Sequence, residues 1–413
     1  MSELQSASSL ERRCESPARS TGSETECTRS LWGQQQNFLR GAPQTMGHKT
    51  ANGAIAVLVF IMAGSSSNAG VVFNLNNTGG AGIGTNARTG FQAAADYYSS
   101  LLSDNVTINL DIGFTTLDPG ILGSASSTKG FIGYDGFRSA IAADATSGSD
   151  ASFSAGLPSG SNFSVYINGT ADNPNGAGSS SPYVDNDGGT NNSTVWMNTA
   201  NAKALGLLVD DGTPDATISF SDQFTWDYDA SDGITAGSFD FVGVAIHEIG
   251  HALGFVSGVD ILDANFTSAQ GGPYDDDLFY YVAPLDFSRF SGDSQAAAAD
   301  IDWTADTREK YFSIDGGNTI YQANAFSTGK TQGDGQQASH WKDSQGYGLF
   351  DPTLAPGETG TLSSLDLLSL DIIGWDLASV NTVPEPSTAI GFGFLGLLSV
   401  TFNRRQSRVK APR

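Results

Sequence analysis

Residues 239–255 read FDFVGVAIHEIGHALGF and predict the strongest helix of the chain. Asp240 lies in the expected first turn, where a negative charge suits the helix dipole. Gly254 lies near the expected end, as is typical of helix C-termini. His247 and His251 are four residues apart, so both imidazoles project from the same face of the helix, one turn from each other.

The segment also carries a carboxylate, Glu248, directly after the first histidine. On a helix, His-Glu-x-x-His lets both imidazoles reach one Zn²⁺ at about 2.0–2.1 Å, with the glutamate facing the metal-bound water. Zinc lowers the pKa of that water towards roughly 7, so Glu248 can take its proton during attack on a peptide carbonyl. Two incidental histidines are the structural alternative, and the apolar, helix-compatible setting argues against it.

Two histidines leave the zinc one protein ligand short, because a catalytic zinc takes three protein ligands and a water. The short metzincin pattern His-Glu-x-x-His-x-x-Gly-x-x-His is matched through Gly254, but its last position is Ser257, a poor zinc ligand. A thermolysin-like glutamate is missing as well, because no Glu occurs between Glu248 and Glu309.

The remaining candidates for the third ligand are carboxylates or a distant histidine. The sequence has four histidines, and His48 falls in a predicted export signal, so an all-imidazole set requires His340, 89 residues after His251. A long insertion between ligands is acceptable because a loop can bulge out while its ends stay close. The carboxylates that could substitute are Asp260, Asp275, Asp276 and Asp277.

The surroundings of His340 resemble the leishmanolysin-like branch of the metzincins over roughly residues 239–376. The segments that carry the resemblance are Ala338-Ser339-His340-Trp341-Lys342, Leu349-Phe350-Asp351-Pro352 and Leu370-Asp371-Ile372-Ile373-Gly374-Trp375-Asp376. The resemblance implies a third histidine displaced by an insertion, followed by a turn and a final helix. It implies zinc bound by His247, His251 and His340, with Glu248 as general base.

One position departs from that family. Its turn methionine, which packs under the zinc, is replaced here by Phe350, and Met197 is the only methionine between residues 70 and 383. An apolar substitute preserves a hydrophobic floor, but the bulkier Phe is expected to shift the site or weaken activity.

Residues 70–382 are expected to form the peptidase domain, an α+β, metzincin-like fold with a twisted mixed sheet and an active-site helix. Its N-terminal part is 70–255, and a loop-rich C-terminal part, 256–382, supplies the third ligand. Apolar periodicity predicts these elements: strands at Gly70–Leu75, Val106–Ile112, Ala216–Phe220 and Phe224–Tyr228, and helices at Ala87–Leu102, Phe137–Ala145 and Ser363–Ile373. Residues 168–193, rich in Gly, Ser, Asn and Asp, predict a long loop.

The charge of this region excludes nucleic acid as a partner. Residues 70–383 hold nine Lys and Arg against 38 Asp and Glu, a net charge of −29, whereas phosphate binding needs clustered basic residues. Asp185, Asn186 and Asp187 are candidates for Ca²⁺, although a solvating acidic surface explains them as well. Cys14 and Cys27, the two cysteines, lie near the N-terminus, so no disulfide is expected in the domain.

The N-terminal residues predict export. After a polar stretch, 1–45, Met46 and Lys49 precede a ten-residue apolar run, Ala54–Ala63, and the small residues Ser67-Asn68-Ala69. This order predicts a signal peptide over 46–69, and the run is too short for a membrane-spanning helix. We expect translation to start at Met46 and 1–45 to be a non-native or disordered extension.

The C-terminal residues 383–413 resemble a PEP-CTERM sorting signal of Gram-negative bacteria. Pro384-Glu385-Pro386 precedes the apolar stretch 389–402 and a basic end, with residues Arg404, Arg405, Arg408, Lys410 and Arg413. The resemblance implies recognition by an exosortase, transient membrane contact through 389–402, and release to the cell envelope, cell surface or extracellular matrix. A simple membrane anchor is the alternative.

The sequence as a whole predicts an exported zinc metalloendopeptidase acting on protein or peptide substrates. The alternative is a surface or biofilm-matrix protein that keeps the fold with little or no turnover. The intact Glu248 favours the enzyme, since a degenerate site has no chemical need for that carboxylate.

Overall fold

The described residues form helices and several small sheets, consistent with an α+β fold. The computed structural model describes residues 70–265 and 272–378. The chain divides into one unit that ends at Leu377 and a second that begins at Ala378. One hydrophobic core runs from Val71 to Trp375 and draws on both expected parts of the domain, 70–255 and 256–382.

Most of the described helices and strands are short, and three helices have more than ten residues. The strands are β1 (Val72–Gly79), β2 (Thr107–Thr115), β3 (Gly123–Ser127), β4 (Lys129–Gly133), β5 (Val165–Ile167), β6 (Tyr183–Asp185), β7 (Thr194–Asn198), β8 (Ala216–Ser221), β9 (Trp226–Asp227), β10 (Phe239–Asp240), β11 (Arg289–Phe290), β12 (Ile301–Asp302) and β13 (Tyr311–Phe312). The helices are α1 (Asn86–Leu101), α2 (Tyr134–Asp144), α3 (Gly148–Gly156), α4 (Thr199–Ala204), α5 (Phe241–Leu253), α6 (Val259–Asn265), α7 (Gly292–Ala296) and α8 (Ser364–Asp371).

The largest sheet has four strands in the order β1-β2-β8-β3. Three of them are parallel, and β3 runs antiparallel to β8 at one edge, with Gly123 opposite Phe220. Ile108, Leu110 and Ile112 alternate along β2 and are fully buried, as a period of two predicts. The helices α1 and α5 pack beside this sheet, so β3 lies next to the helix that carries the histidines.

The predicted elements of the sheet and its helices are confirmed with shifted ends. The start of α5 differs: the helix begins at Phe241, and Asp240 is its N-cap, with the side chain accepting a hydrogen bond from the N–H of Gly243 at 2.9 Å. Strand β9 keeps two residues of the predicted 224–228, and β6 lies within the predicted loop 168–193. Strands β3, β4 and β7 were not predicted, because their segments are short or rich in Gly and Ser and lack a clear alternation.

The part of the domain after residue 256 is loop-rich, as expected. Its regular elements are mostly two-residue strands and single-turn helices, and α8 is the longest of them. Ser363 caps α8 by accepting from the N–H groups of Leu365 and Asp366, and the Asp366 side chain accepts from the N–H of Ser363. This reciprocal capping box confirms the predicted N-cap.

The predicted signal peptide 46–69 and the sorting signal 383–413 lie outside the described residues. Within 70–265 and 272–378, no helix is both long and apolar enough to cross a bilayer.

A group of carboxylates lies near the ends of α2 and α8. Asp104 accepts a hydrogen bond from the N–H of Asp376 at 3.1 Å. Burial raises the pKa of Asp104 to about 7, and the charges of Asp376 and Asp144 add to the rise. Burial and the charge of Asp376 likewise raise the pKa of Asp144 to about 7. The folded state therefore holds protons that the unfolded chain releases above about pH 4, so stability falls as pH rises from about 4 to 7.

We expect Asp104→Asn to raise the free energy of unfolding at pH 8 by about 2 kcal/mol and to leave it nearly unchanged at about pH 3.5, below the pKa of the unfolded carboxyl. The amide keeps an oxygen acceptor for the Asp376 N–H and removes the buried charge. Urea unfolding at both pH values measures the effect, with the exposed Asp232→Asn as the control. An equal change at the two pH values would contradict the assignment.

Candidate metal centre

The helix α5 places two histidines and a glutamate in the core. Its residues are buried on nearly every side, so it packs as a central helix and not as an amphipathic surface one. It ends at Gly254, whose φ of 123° is a conformation that glycine adopts without strain. The hydroxyl of Tyr98 on α1 donates to the carbonyl of Ile246 at 2.9 Å, which fixes the helix one residue before His247.

Three imidazoles meet at one point. The Nε2 atoms of His247 and His251 are 2.9 Å apart, and the Nε2 atoms of His251 and His340 are 3.2 Å apart. Among the described residues this trio is the group of His, Cys, Asp or Glu side chains that could hold one metal ion, with the ligand atoms within 4.8 Å of one another. The structure therefore brings together all three predicted ligands, across the 89 residues that separate His251 from His340.

The outer nitrogen of each ring fixes its tautomer. Nδ1 of His247 lies 2.7 Å from the carbonyl oxygen of Leu349, and Nδ1 of His251 lies 2.7 Å from that of Phe255. Nδ1 of His340 lies 3.3 Å from the carbonyl oxygen of Gln337. A carbonyl oxygen can only accept, so each Nδ1 carries the proton and each Nε2 of a neutral ring presents a lone pair.

Electrostatics keep the three rings neutral. Burial lowers the pKa of His251 to about 4, and burial together with the neighbouring histidines lowers the pKa values of His247 and His340 well below the usual range. Three unprotonated nitrogens whose lone pairs face each other form a group that could hold a metal ion. Tetrahedral zinc with bonds of about 2.05 Å separates its nitrogen ligands by roughly 3.3 Å, close to the spacing of these atoms. The donor set therefore fits Zn²⁺.

Glu248, which follows His247 on α5, is fully buried. Neither of its oxygens has a hydrogen-bond partner among the described residues. Burial raises its pKa well above the usual range, and the nearby backbone N–H of Ala125 opposes the rise without completing a hydrogen bond. An unpaired buried carboxylate is costly, which makes this group a candidate for chemistry.

The aromatic ring of Phe350 forms the floor of the site. Its centroid lies 6.0 Å from those of His247 and His251, and it stacks on Phe255 at 4.0 Å. The ring fits because residue 250 is glycine: a Cβ there would overlap Phe350 and lie 2.8 Å from the Tyr98 hydroxyl. The expected floor is present, and the three histidines still converge above the larger side chain.

Asp366 on α8 is hydrogen-bonded to the two segments that contain His340 and Phe350. Its carboxylate accepts from the indole N–H of Trp341 and from the N–H of Leu349, each at 2.7 Å. It therefore connects the residue after His340 to the residue before Phe350. The role of Asp366 was not predicted from the sequence. Its position three residues after the N-cap Ser363 indicates a capping box but not its contacts with Trp341 and Leu349.

The alternative ligands lie elsewhere. Asp260 accepts from the N–H groups of Ala338 and Ser339 at 2.6 and 3.2 Å, so it positions the chain that leads into His340. Ser257 donates to Asp286 at 2.6 Å. The remaining three carboxylates are not part of the histidine group in the described chain: Asp275, Asp276 and Asp277.

The predicted calcium ligands form no such group either within the described ranges. Asp185 accepts from the side-chain amides of Asn191 and Asn192 at 2.6 and 3.0 Å. Asp187 accepts from the N–H of Gly189 at 2.8 Å. Calcium binding at Asp185, Asn186 and Asp187 stays a prediction.

Comparison of the chain with protein-family models, curated proteins and solved structures finds no match.

We expect Gly250→Ala to lower the free energy of unfolding by about 1–3 kcal/mol. On an unobstructed helix the same change is favourable by up to about 1 kcal/mol, so the sign alone reports the overlap with Phe350. Adding Phe350→Met to Gly250→Ala should recover part of the loss, because Met is slimmer and flexible. Urea unfolding of both single variants and the double variant measures the coupling. Strict additivity would show that the ring does not limit residue 250.

Proposed function

We propose that the chain is a zinc metalloendopeptidase, with His247, His251 and His340 as metal ligands and Glu248 as general base. One observation carries the proposal: three Nε2 lone pairs converge, and Glu248, next to His247 on α5, has a buried carboxylate without a hydrogen-bond partner in the described chain. Zinc bound by this trio would supply a water of lowered pKa and polarise a peptide carbonyl. Glu248 would accept a proton from that water and pass it to the leaving amine.

Strand β3 supports a peptide as the substrate. It is the edge strand of the main sheet, and an extended peptide can bind such an edge as an added strand. At Gly123, the first residue of β3, a Cβ would lie 3.1 Å from Oε1 of Glu248 and 3.0 Å from the ring of Phe220. The strand thus starts beside the general base, which would orient a peptide bond near it.

A cavity of about 1020 Å³ lies between the first turn of α5 and the segment before α8, and it would accept a substrate side chain. Val244, one turn before His247 on α5, lines it, and so does Leu349, whose carbonyl accepts from His247. Phe239 and Leu354 add apolar surface, and Glu358 adds a carboxylate. The cavity favours apolar or basic side chains.

We extend the proposal to the type of fold, a metzincin related to the leishmanolysin-like branch. The support is the position of His340 between Ser339 and Trp341, the apolar floor of Phe350, and the final helix α8 behind both. The four-stranded mixed sheet beside α5 agrees with the expected architecture.

Export and surface sorting are proposed from residues 46–69 and 383–413, the latter with Pro384-Glu385-Pro386 as the exosortase motif. Mass spectrometry of the exported protein would test both ends. A mature N-terminus near residue 70 and loss of the segment after Pro386 are expected. A peptide covering Cys27 in the exported protein would contradict the start at Met46.

The test of the activity is zinc content together with cleavage of casein or gelatin. We expect one zinc per chain, loss of cleavage after chelation, and recovery when zinc is restored. The second candidate is a surface or matrix protein without turnover. It is favoured by the burial of the site, because the three histidines and Glu248 are at most 1% exposed. A zinc-loaded protein that cuts nothing would support that reading.

A further inference from the structure

The side chain of Lys129 packs over an aromatic ring. It begins β4, which pairs with β7 so that Lys129 is opposite Asn198 and Phe131 is opposite Trp196. The Lys129 ammonium lies 3.9 Å from the centre of the Trp196 ring. Tyr281 packs against both aromatic residues, 6.0 Å from Phe131 and 5.3 Å from Trp196. The long side chain is therefore supported in one place, which reduces the entropy lost on binding an anion.

Lys129 also lies near the metal centre. Asn198, its strand partner, donates to the carbonyl of His251 at 2.7 Å. Ser127, two residues before Lys129 at the end of β3, donates to the same carbonyl at 3.5 Å. The edge strand that starts beside Glu248 thus ends beside His251, and Lys129 follows directly in the chain.

The ammonium has no carboxylate partner. In the described chain five of the basic side chains lie within 4.0 Å of an Asp, namely Arg138, Lys203, Arg308, Lys310 and Lys342, and Lys129 is not among them. The charge of Asp260 acts on Lys129 from a distance. Both oxygens of that carboxylate are already occupied by the chain before His340. Lys129 is a half-buried residue in a region of net charge −29, and no salt bridge of the described chain holds its ammonium.

We propose that Lys129 is a specificity-determining residue that binds a carboxylate of the peptide substrate. The inference rests on the proposed function, because the peptide must lie along β3. A lone ammonium on an apolar floor matches one carboxylate, with a charge-assisted hydrogen bond between them. Lys129 is six residues from Gly123, so an extended peptide reaches it within about six residues of the cleaved bond, roughly 20 Å.

The carboxylate could belong to an acidic side chain or to the C-terminus of the peptide, and strand direction separates the two. A peptide antiparallel to β3 has its N-terminal side near Lys129, so an Asp or Glu before the cleaved bond would bind. A peptide parallel to β3 has its C-terminal side there, so a free C-terminal carboxylate could also bind.

The experiment compares kcat/KM for matched synthetic peptides. One series carries Asp or Asn at each of the six positions before the cleaved bond, and the other ends in an acid or an amide at varied distance after it. We expect the zinc-loaded protein to prefer one charged form by about tenfold, as a charge-assisted hydrogen bond supplies. Lys129→Met, which retains an apolar stem over Trp196, should lose the preference, and Lys129→Arg should restore most of it.

The control is Lys330→Met, which removes one exposed positive charge from the same chain. It matches the change in net charge, and about 0.15 M salt limits long-range effects to roughly 8 Å. The control should keep the preference. Equal rates within every peptide pair, or a preference that survives in Lys129→Met, would overturn the proposal.

Binding separates this inference from the proposed function. Peptide affinity is measured calorimetrically with zinc-loaded Glu248→Gln and with the same variant carrying Lys129→Met. If no peptide is cut by the wild type but the charged peptide binds about tenfold more tightly through Lys129, the peptidase proposal fails and the carboxylate site stands. If peptides are cut without any charge preference in rate or affinity, the carboxylate site fails alone.

Discussion

Replacing Glu248 with Gln is expected to abolish peptide cleavage while zinc stays bound. The carboxylate has no structural hydrogen bond in the described chain, so its amide isostere loses little packing. The amide cannot accept a proton, and loss of a general base lowers kcat by about 10²–10⁴-fold. Because the ligands are untouched, the zinc content should remain one per chain.

Three measurements on that variant decide the outcome: zinc by atomic emission, kcat on a fluorogenic peptide, and urea unfolding. Removing a buried, unpaired carboxylate should leave stability equal or increase it. A variant that retains more than about a tenth of the wild-type kcat would remove Glu248 from the mechanism. Loss of zinc together with activity would instead mean that the carboxylate helps to hold the metal.

His340→Ala is expected to weaken zinc binding strongly. Structural zinc binding is worth about 10–16 kcal/mol over four ligands, so one ligand carries roughly 3–4 kcal/mol and its loss weakens affinity by about 10²–10³-fold. Competition with a chelating dye measures the affinity of the variant against that of the wild type. Cleavage should fall in parallel when zinc is limiting.

Asp260→Asn is the matched comparison. Asp260 orients the chain before His340 and lies outside the ligand group, so we expect its loss to cost about 10–100-fold in zinc affinity. If His340→Ala keeps full affinity and Asp260→Asn loses it, the carboxylate is the third ligand and the assignment of His340 is wrong.

Much of the site could be predicted because two of its ligands lie close together in the sequence and because the chain has only four histidines. His247 and His251 are four residues apart on one helix, so their grouping follows from helix geometry, and Glu248 was predicted from its place in the motif. His340 was predicted by elimination among four histidines and by the residues around it. The strands β1, β2 and β8 were predicted because their apolar residues alternate along segments long enough to show it.

The rest depends on contacts between segments far apart in the chain. Asp366 accepts hydrogen bonds from the indole N–H of Trp341 and the backbone N–H of Leu349. No periodicity in the sequence indicates these contacts. Phe350 was expected to disturb the site by its bulk. Its accommodation depends on the missing side chain of Gly250, a hundred residues earlier, which only the packed structure reveals.

The distance along the chain between the second and third histidines has a mechanical consequence. An ion held by His251 and His340 closes a loop of nearly ninety residues. A cross-link over that length restricts the unfolded chain by about 4–5 kcal/mol. Residues 70–383 contain no cysteine, so no disulfide can form within them. A bound metal ion would therefore be the cross-link of this domain, in the role that disulfides have in many exported proteins. Chelation would then release the long segment between the two histidines to proteases before the four-stranded sheet unfolds.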